Sequence, residues 1–158
     1  MIWHHMLMQF RENRKRVLGF CVKAAAIAFA ATMAPLVAMP LASAASTPAE
    51  ACGSGFREID HHDLPLGTVY LFYNGSDNCV VTWKNSYSGT PTIVSAGIQL
   101  ADQPSTKVSD SGSDYKYYAG PVKISAGGKC IQWDGEAQKP GNVATIDNYW
   151  KSGSSHCG

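Results

Sequence analysis

Four cysteines in residues 45–158, Cys52, Cys79, Cys130 and Cys157, constrain this chain more than any other feature, because the stretch before them reads as an export leader. Arg11, Arg14, Lys15, Arg16 and Lys23 load the front with positive charge, an Ala-rich run follows from Ala24 to Met39, and Ala42-Ser43-Ala44 supplies a small-x-small cleavage pattern. Residues 1–44 are therefore expected to be removed, with the exported chain starting at Ala45. A retained membrane anchor fits worse: Lys23 and Pro35 leave only Ala24 to Ala34 uninterrupted, well short of the ~20 residues a spanning helix needs. Glu50 argues against a lipid anchor on Cys52, and Arg14-Lys15-Arg16 lacks the adjacent arginine pair of a twin-arginine signal. Outside the cytoplasm thiols oxidise, so the four cysteines are expected to form two disulfides.

Loss of the leader changes the charge balance. Residues 45–158 hold eight basic residues against eleven acidic ones, a net charge of −3, whereas the whole chain carries +1. With its lysines scattered, such a surface offers no basic stripe for nucleic acid or for an anionic membrane. Residues 45–51 read as a short linker and residues 52–158 as one domain, small enough to benefit from covalent support. Cys79 and Cys130 fall in expected strands while Cys52 and Cys157 lie near the two ends. The preferred pairing is Cys79 with Cys130 and Cys52 with Cys157, although two other connectivities satisfy the same count.

The pattern is that of an all-β fold. Thr68 to Tyr73 is β-branched and aromatic, and Cys79 to Lys84 alternates Cys79, Val81 and Trp83 against Val80, Thr82 and Lys84. Asn74 to Asn78 joins the two runs with hairpin length and turn chemistry. Further strands are expected at Thr92 to Leu100, Tyr115 to Ala119, Val122 to Ser125, Cys130 to Trp133 and Val143 to Trp150, with Gly127-Gly128 as a second turn signal. Pro91, Pro104, Pro121 and Pro140 are placed at or beyond strand borders. No stretch after the leader shows a 3.6-residue apolar repeat, so the expected architecture is a single small antiparallel β-sandwich or β-barrel.

Catalytic signatures are scarce. There is no G-x-S-x-G elbow, no H-E-x-x-H and no phosphate-binding glycine loop. Ser155-His156 reads as a solvated tail whose side chains diverge, and Asp134 and Glu136 as acids of a polar turn around Gly135. Glu58 to Asp63 (EIDHHD) is the densest run of metal-ligand residue types, but consecutive residues rarely converge on one ion, and an exposed strand edge is the expected reading. Asp110 to Asp114 lacks the terminal Glu of a calcium loop and reads as a flexible polar turn. No catalytic residue, metal or cofactor is assigned.

Aromatic residues carry the binding signal. Trp83 shares a face with Cys79 and Val81 and is expected to be buried, whereas Tyr117, Tyr118, Trp133 and Trp150 are the candidates for an aromatic contact surface. At least one of the neighbouring Tyr117 and Tyr118 is expected to be exposed.

The segments Ala51 to Phe56 (ACGSGF), Gly67 to Leu71 (GTVYL), Asn78 to Thr82 (NCVVT), Tyr118 to Val122 (YAGPV), Gly128 to Trp133 (GKCIQW) and the closing Cys157-Gly158, in that order, resemble the spore-associated protein A family. The resemblance spans essentially all of residues 52–158. It implies a small exported protein of filamentous, spore-forming bacteria, associated with the spore surface, and brings no reaction, cofactor or catalytic residue. The expected function is accordingly a secreted noncatalytic protein of the spore or cell-wall surface, with cell-wall or spore-coat components as partners; the alternative is an extracellular module binding cell-wall polysaccharide.

Overall fold

A computed structural model describes residues 45–141 and 145–158. The leader expected over residues 1–44 lies outside the described residues, as do residues 143 and 144 of the expected strand Val143 to Trp150.

Eight strands form two four-stranded antiparallel sheets packed as a sandwich, not a closed barrel. The first sheet runs in the order β1 (Arg57–Leu64), β2 (Gly67–Tyr73), β3 (Asp77–Lys84), β6 (Tyr118–Ser125). The second runs in the order β5 (Gln103–Tyr115), β4 (Thr92–Leu100), β7 (Ile131–Ala137), β8 (Tyr149–Lys151). A five-residue helix, α1 (Pro48–Cys52), occupies much of the expected linker. Thr47 caps it by accepting the Glu50 N–H at 3.2 Å, and Pro48 sits where its missing N–H has no intrahelical partner to lose.

Alternation along each strand builds the core. Val69 and Leu71 on β2, Val80 on β3, and Ala119 and Val122 on β6 meet Val94, Ala96 and Ile98 on β4 and Ile131, Trp133 and Ala137 on β7 in one buried cluster. Gly135 marks where the sheets come closest: a Cβ there would stand 2.6 Å from a Val69 methyl and collide with the Thr82 hydroxyl. The β3–β6 register keeps this pattern only because it shifts between Val80 and Thr82. Val80 pairs with Val122 and Thr82 with Ala119, so Gly120 and Pro121 together oppose Val81, and both flanking residues of β6 still point inward.

The two faces of β3 are reversed from expectation. Val80 and Thr82 point between the sheets, while Cys79, Val81 and Phe72 form a second, smaller cluster on the outer face beneath α1. Cys52 of the helix bonds to Cys79, and Cys130 bonds to Cys157, which corrects the preferred connectivity. The cause is that α1 covers the outer face of β3: Cys79 finds its partner outside the sandwich, not across it. Trp83, on the same outer face beyond the helix, is half-buried, and Lys84 is the buried residue of that pair. The Lys84 ammonium donates to the carbonyls of Thr90, at 2.7 Å, and Tyr115, at 3.3 Å, and desolvation lowers its pKa.

Other differences lie at the sheet margins. Asp110 to Asp114 is not a flexible turn but part of the 13-residue edge strand β5. Asp134, Gly135 and Glu136 belong to β7, Ile146–Asn148 is a 3₁₀ turn, and β8 begins at Tyr149. Pro104 and Pro121 lie inside strands, but on β5 and β6, which are sheet edges where a missing N–H is tolerated. Between those edges Asp110 acts as a clasp: it accepts the Tyr115 hydroxyl through Oδ1 and the Gly120 N–H through Oδ2 at 2.8 Å.

Two measurements test this packing. Gly135→Ala is expected to lower unfolding free energy by about 1–3 kcal/mol, because two sheets must move apart for one methyl group; chemical denaturation reads the loss. Desolvation and then Asp110 raise the Tyr115 pKa from 10.0 to about 12. The fold therefore holds the phenol proton more tightly than the unfolded chain does, and this contribution, present below pH 10, is lost as pH rises toward about 12. Tyr115→Phe is expected to lower stability at neutral pH and to flatten that alkaline decline.

Candidate functional site

The outer face of the second sheet is its polar side. Strand alternation places Ser95, Gly97 and Gln99 of β4 beside Gln132, Asp134 and Glu136 of β7, with Tyr149 and Lys151 following on β8. Gly97 pairs with Asp134, and a Cβ at Gly97 would stand 2.6 Å from Asp134 Oδ1. The missing side chain is what allows the Asp134 carboxylate to lie flat against the sheet, only 4% of the residue exposed. Lys107 reaches over from β5 and places its Nζ 2.6 Å from Asp134 Oδ2. Alongside, Gln99 Nε2 donates to Gln132 Oε1 at 3.1 Å and Gln138 Nε2 to Glu136 Oε1 at 2.8 Å. Desolvation, followed by the charges of Asp134 and Glu136, raises the pKa of the Tyr149 hydroxyl.

Asp134 and Glu136 thus share one face, as i and i+2 on a strand must. Each is already engaged, Asp134 by a lysine and Glu136 by an amide, so the pair is arranged as structure and does not present a free acid and a free base to a substrate. The expectation that both are solvated turn residues fails for Asp134, which is buried because Gly97 gives it room.

The four candidate aromatics do not form one surface. Trp133 is a core residue, 1% exposed, and meets Trp150 edge-on with centroids 4.6 Å apart. Trp150 is half-buried, and the His62 ring stacks on it at 4.1 Å with planes 7° apart, bridging β1 and β8 at the margin of the sandwich. Tyr118 stacks on Trp83 at 4.8 Å and 5° on the outer face of the first sheet. Tyr117 is exposed, as expected for one of the tyrosine pair. Stacking takes one face of each ring in the His62–Trp150 and Trp83–Tyr118 pairs, and Trp133 is buried, so the four candidates present no shared row of open ring faces.

The acidic and His-rich stretch forms edge strand β1, as an exposed strand edge. Its members disperse: His61 Nδ1 lies 2.8 Å from Glu58 Oε1, His62 goes to Trp150, and Asp60 lies 3.4 Å from His156 Nε2. Among the described residues no three His, Cys, Asp or Glu side chains gather in a geometry able to hold a metal ion.

Ser155 and His156 were expected to diverge, yet Ser155 Oγ lies 3.0 Å from His156 Nδ1. The reason is the positive φ of His156, 52°, which takes the tail out of strand alternation. Ser155, His156 and Asp60 therefore stand in series. The Asp60 contact is too long to fix the imidazole tautomer or to hold an imidazolium firmly, and Asp60 is open to water, unlike the buried acid of a working triad.

Comparison with known proteins gives one clear relative. The chain is 39% identical over 133 residues to "Spore-associated protein A" of Streptomyces coelicolor (strain ATCC BAA-471 / A3(2) / M145), an alignment covering 78% of this chain and 78% of that protein. The chain belongs to the spore-associated protein A family. No family model matches it, and no solved structure matches it.

The segments through which the sequence resembles the spore-associated protein A family now have places in the fold. Gly67 to Leu71 opens β2, Asn78 to Thr82 lies in β3, Tyr118 to Val122 opens β6, and Gly128 to Trp133 runs from the turn into β7. They are framework segments, carrying Cys79 within β3, Cys130 just before β7 rather than in the expected strand, and much of the core. Gly97 and Lys107, which shape the polar face, went unnoticed in the sequence. Only the interruption of an apolar strand by Gly97 hinted that another group approaches it closely.

The interplay of Gly97 and Asp134 can be measured directly. Gly97→Ala is expected to lower unfolding free energy by about 1–3 kcal/mol by pushing the carboxylate off the sheet and away from Lys107. In an Asp134→Ala background the same substitution should be nearly neutral, a coupling that a double-mutant cycle in chemical denaturation reads.

Proposed function

We propose that this protein is exported and acts without catalysis, as a structural or adhesive component of the spore or hyphal wall surface. The observation that carries the reading is membership of a family whose curated relative is named for the spore. Three features support it. The front of the chain has the charge, apolar run and cleavage pattern of a leader. Both disulfides favour persistence in an oxidising, extracellular setting. The acidic residues that could serve catalysis are held by Lys107 and Gln138, and the Ser155–His156–Asp60 series is open to water.

An extracellular module binding cell-wall polysaccharide, the alternative suggested by the aromatic content, draws little support from candidate rings that are buried or stacked on a neighbour.

Two outcomes are expected. Fractionation of a sporulating culture should place the protein in the wall or spore-surface fraction with Ala45 as its first residue; a purely cytosolic protein would overturn the reading. The purified protein should be inert to a fluorophosphonate probe of activated serines, and labelling of Ser155 would show that the serine is activated after all.

A further inference from the structure

Two connections at one end of the sandwich each carry an open tyrosine ring: residues 85–91, between β3 and β4, carry Tyr87, and residues 116–117, between β5 and β6, carry Tyr117. The fold holds both loops in place. The Asn85 and Ser86 N–H groups donate to the Leu66 carbonyl at 3.0 and 3.2 Å, and the Gly89 N–H donates to the Lys116 carbonyl at 2.8 Å. The Lys84 N–H donates to the Tyr117 carbonyl at 2.9 Å, while its buried ammonium ties the Thr90 carbonyl to that of Tyr115 at the end of β5.

Tyr87 is the informative residue. Its φ is 55°, in the left-handed region where a bulky side chain is strained and asparagine or glycine fits better. Burial does little to offset that strain, because Tyr87 stays 48% exposed. Strain of this kind gathers at sites that bind or react, so the ring is explained by what it meets outside the chain. Tyr117 is 54% exposed, and a Cβ on Gly89, two residues after Tyr87, would lie 3.9 Å from its hydroxyl. Among the described residues neither tyrosine stacks on another aromatic ring.

The residues around the two rings narrow the occupant. Residues 85–91 and 116–117 contain no Leu, Ile, Val, Met or Phe and no acid, and Lys116 is their one charged residue. A stable protein interface needs about 800 Å² per partner with an apolar centre, and these two short loops supply neither. They combine rigid, amphipathic rings with small hydrogen-bonding side chains, the exposed Asn85, Ser88 and Thr90. A β-linked sugar ring has the matching chemistry, a flat C–H face for a tyrosine and equatorial hydroxyls for the amide and hydroxyl groups.

We propose that Tyr87 and Tyr117 form a binding site for a short run of neutral β-linked sugar, its ring faces on the tyrosines and its hydroxyls on Asn85 and Ser88. The site uses one ring, Tyr87, outside the four aromatics that the sequence singled out. It names a ligand for the adhesive role proposed above and rests on that reading; a protein found on the spore surface that takes no sugar here would leave the location standing and remove the site.

The test is an amide-resolved NMR titration of the exported, disulfide-bonded protein with chitotriose, cellotriose and laminaritriose. Saturable shifts at Tyr87, Ser88, Gly89, Lys116 and Tyr117 are expected with at least one trimer, and which trimer binds identifies the sugar and linkage. Tyr117→Ala should weaken that binding by about tenfold. Tyr87→Asn should weaken it as much and yet unfold at the same temperature as the parent or higher, because asparagine suits the positive φ; a merely structural tyrosine would lose stability instead. The proposal is overturned if no trimer gives saturable shifts at these amides, if either variant binds as the parent does, or if the same amides broaden with protein concentration before any sugar is added, which would make a second copy the occupant.

Discussion

Cohesion between the two sheets rests on a buried apolar layer, with polar links at the margin where Asp110 of β5 accepts the Gly120 N–H of β6 and the Lys84 ammonium of β3 donates to the Tyr115 carbonyl of β5. Each disulfide joins cysteines 27 residues apart and stays with one sheet: Cys52–Cys79 fastens α1 to the outer face of β3, and Cys130–Cys157 fastens the C-terminal segment to the start of β7. Neither spans the gap. What holds sheet to sheet is the apolar layer of Val69, Leu71, Val80, Ile98, Ile131 and Trp133, close-packed enough that Gly135 has no room for a methyl group. Burial of such residues contributes about 1.5–3 kcal/mol each. Every surface the molecule presents depends on that layer staying shut.

The disulfides do a different task. By the loop-closure estimate each removes about 3–4 kcal/mol of unfolded-chain entropy, and each turns a chain end into part of a wall. Near the N-terminus this buries Phe72 and Val81 under a helix, so part of the outer face of the first sheet is covered as well. Near the C-terminus it brings His156 beside the β6–β7 turn. The second sheet keeps an uncovered outer face, where Gly97 lets Asp134 lie down and pair with Lys107. One fold therefore yields a polar sheet face and a sheet face partly covered by a helix.

Much of this framework was legible in residue order. The hairpin of β2 and β3 around Asn74 to Asn78 follows from two β-branched runs and a turn sequence, and short strands without helical periodicity narrow the architecture to a sandwich or a barrel, between which strand pairing decides. Alternation separated the faces of β3 correctly but could not say which one meets the other sheet, because α1 makes both faces apolar. That single ambiguity misplaced Trp83 and Lys84 and favoured the wrong cysteine partners. Strand β5 was missed because an edge strand of Ser, Asp and Gly residues has no apolar alternation to detect, its order coming from β4 and from the Asp110 clasp. The polar face was illegible for a related reason: Gly97 and Asp134 are brought together by pairing between segments far apart in the chain.

Non-reducing peptide mapping of the exported protein tests the central claim most directly. Trypsin cuts after Arg57, Lys84, Lys129 and Lys151 place the four cysteines in four separate peptides. The account predicts linked pairs containing Cys52 with Cys79 and Cys130 with Cys157. A peptide pair joining Cys79 to Cys130 would show the two sheets tied covalently across the core and would contradict it.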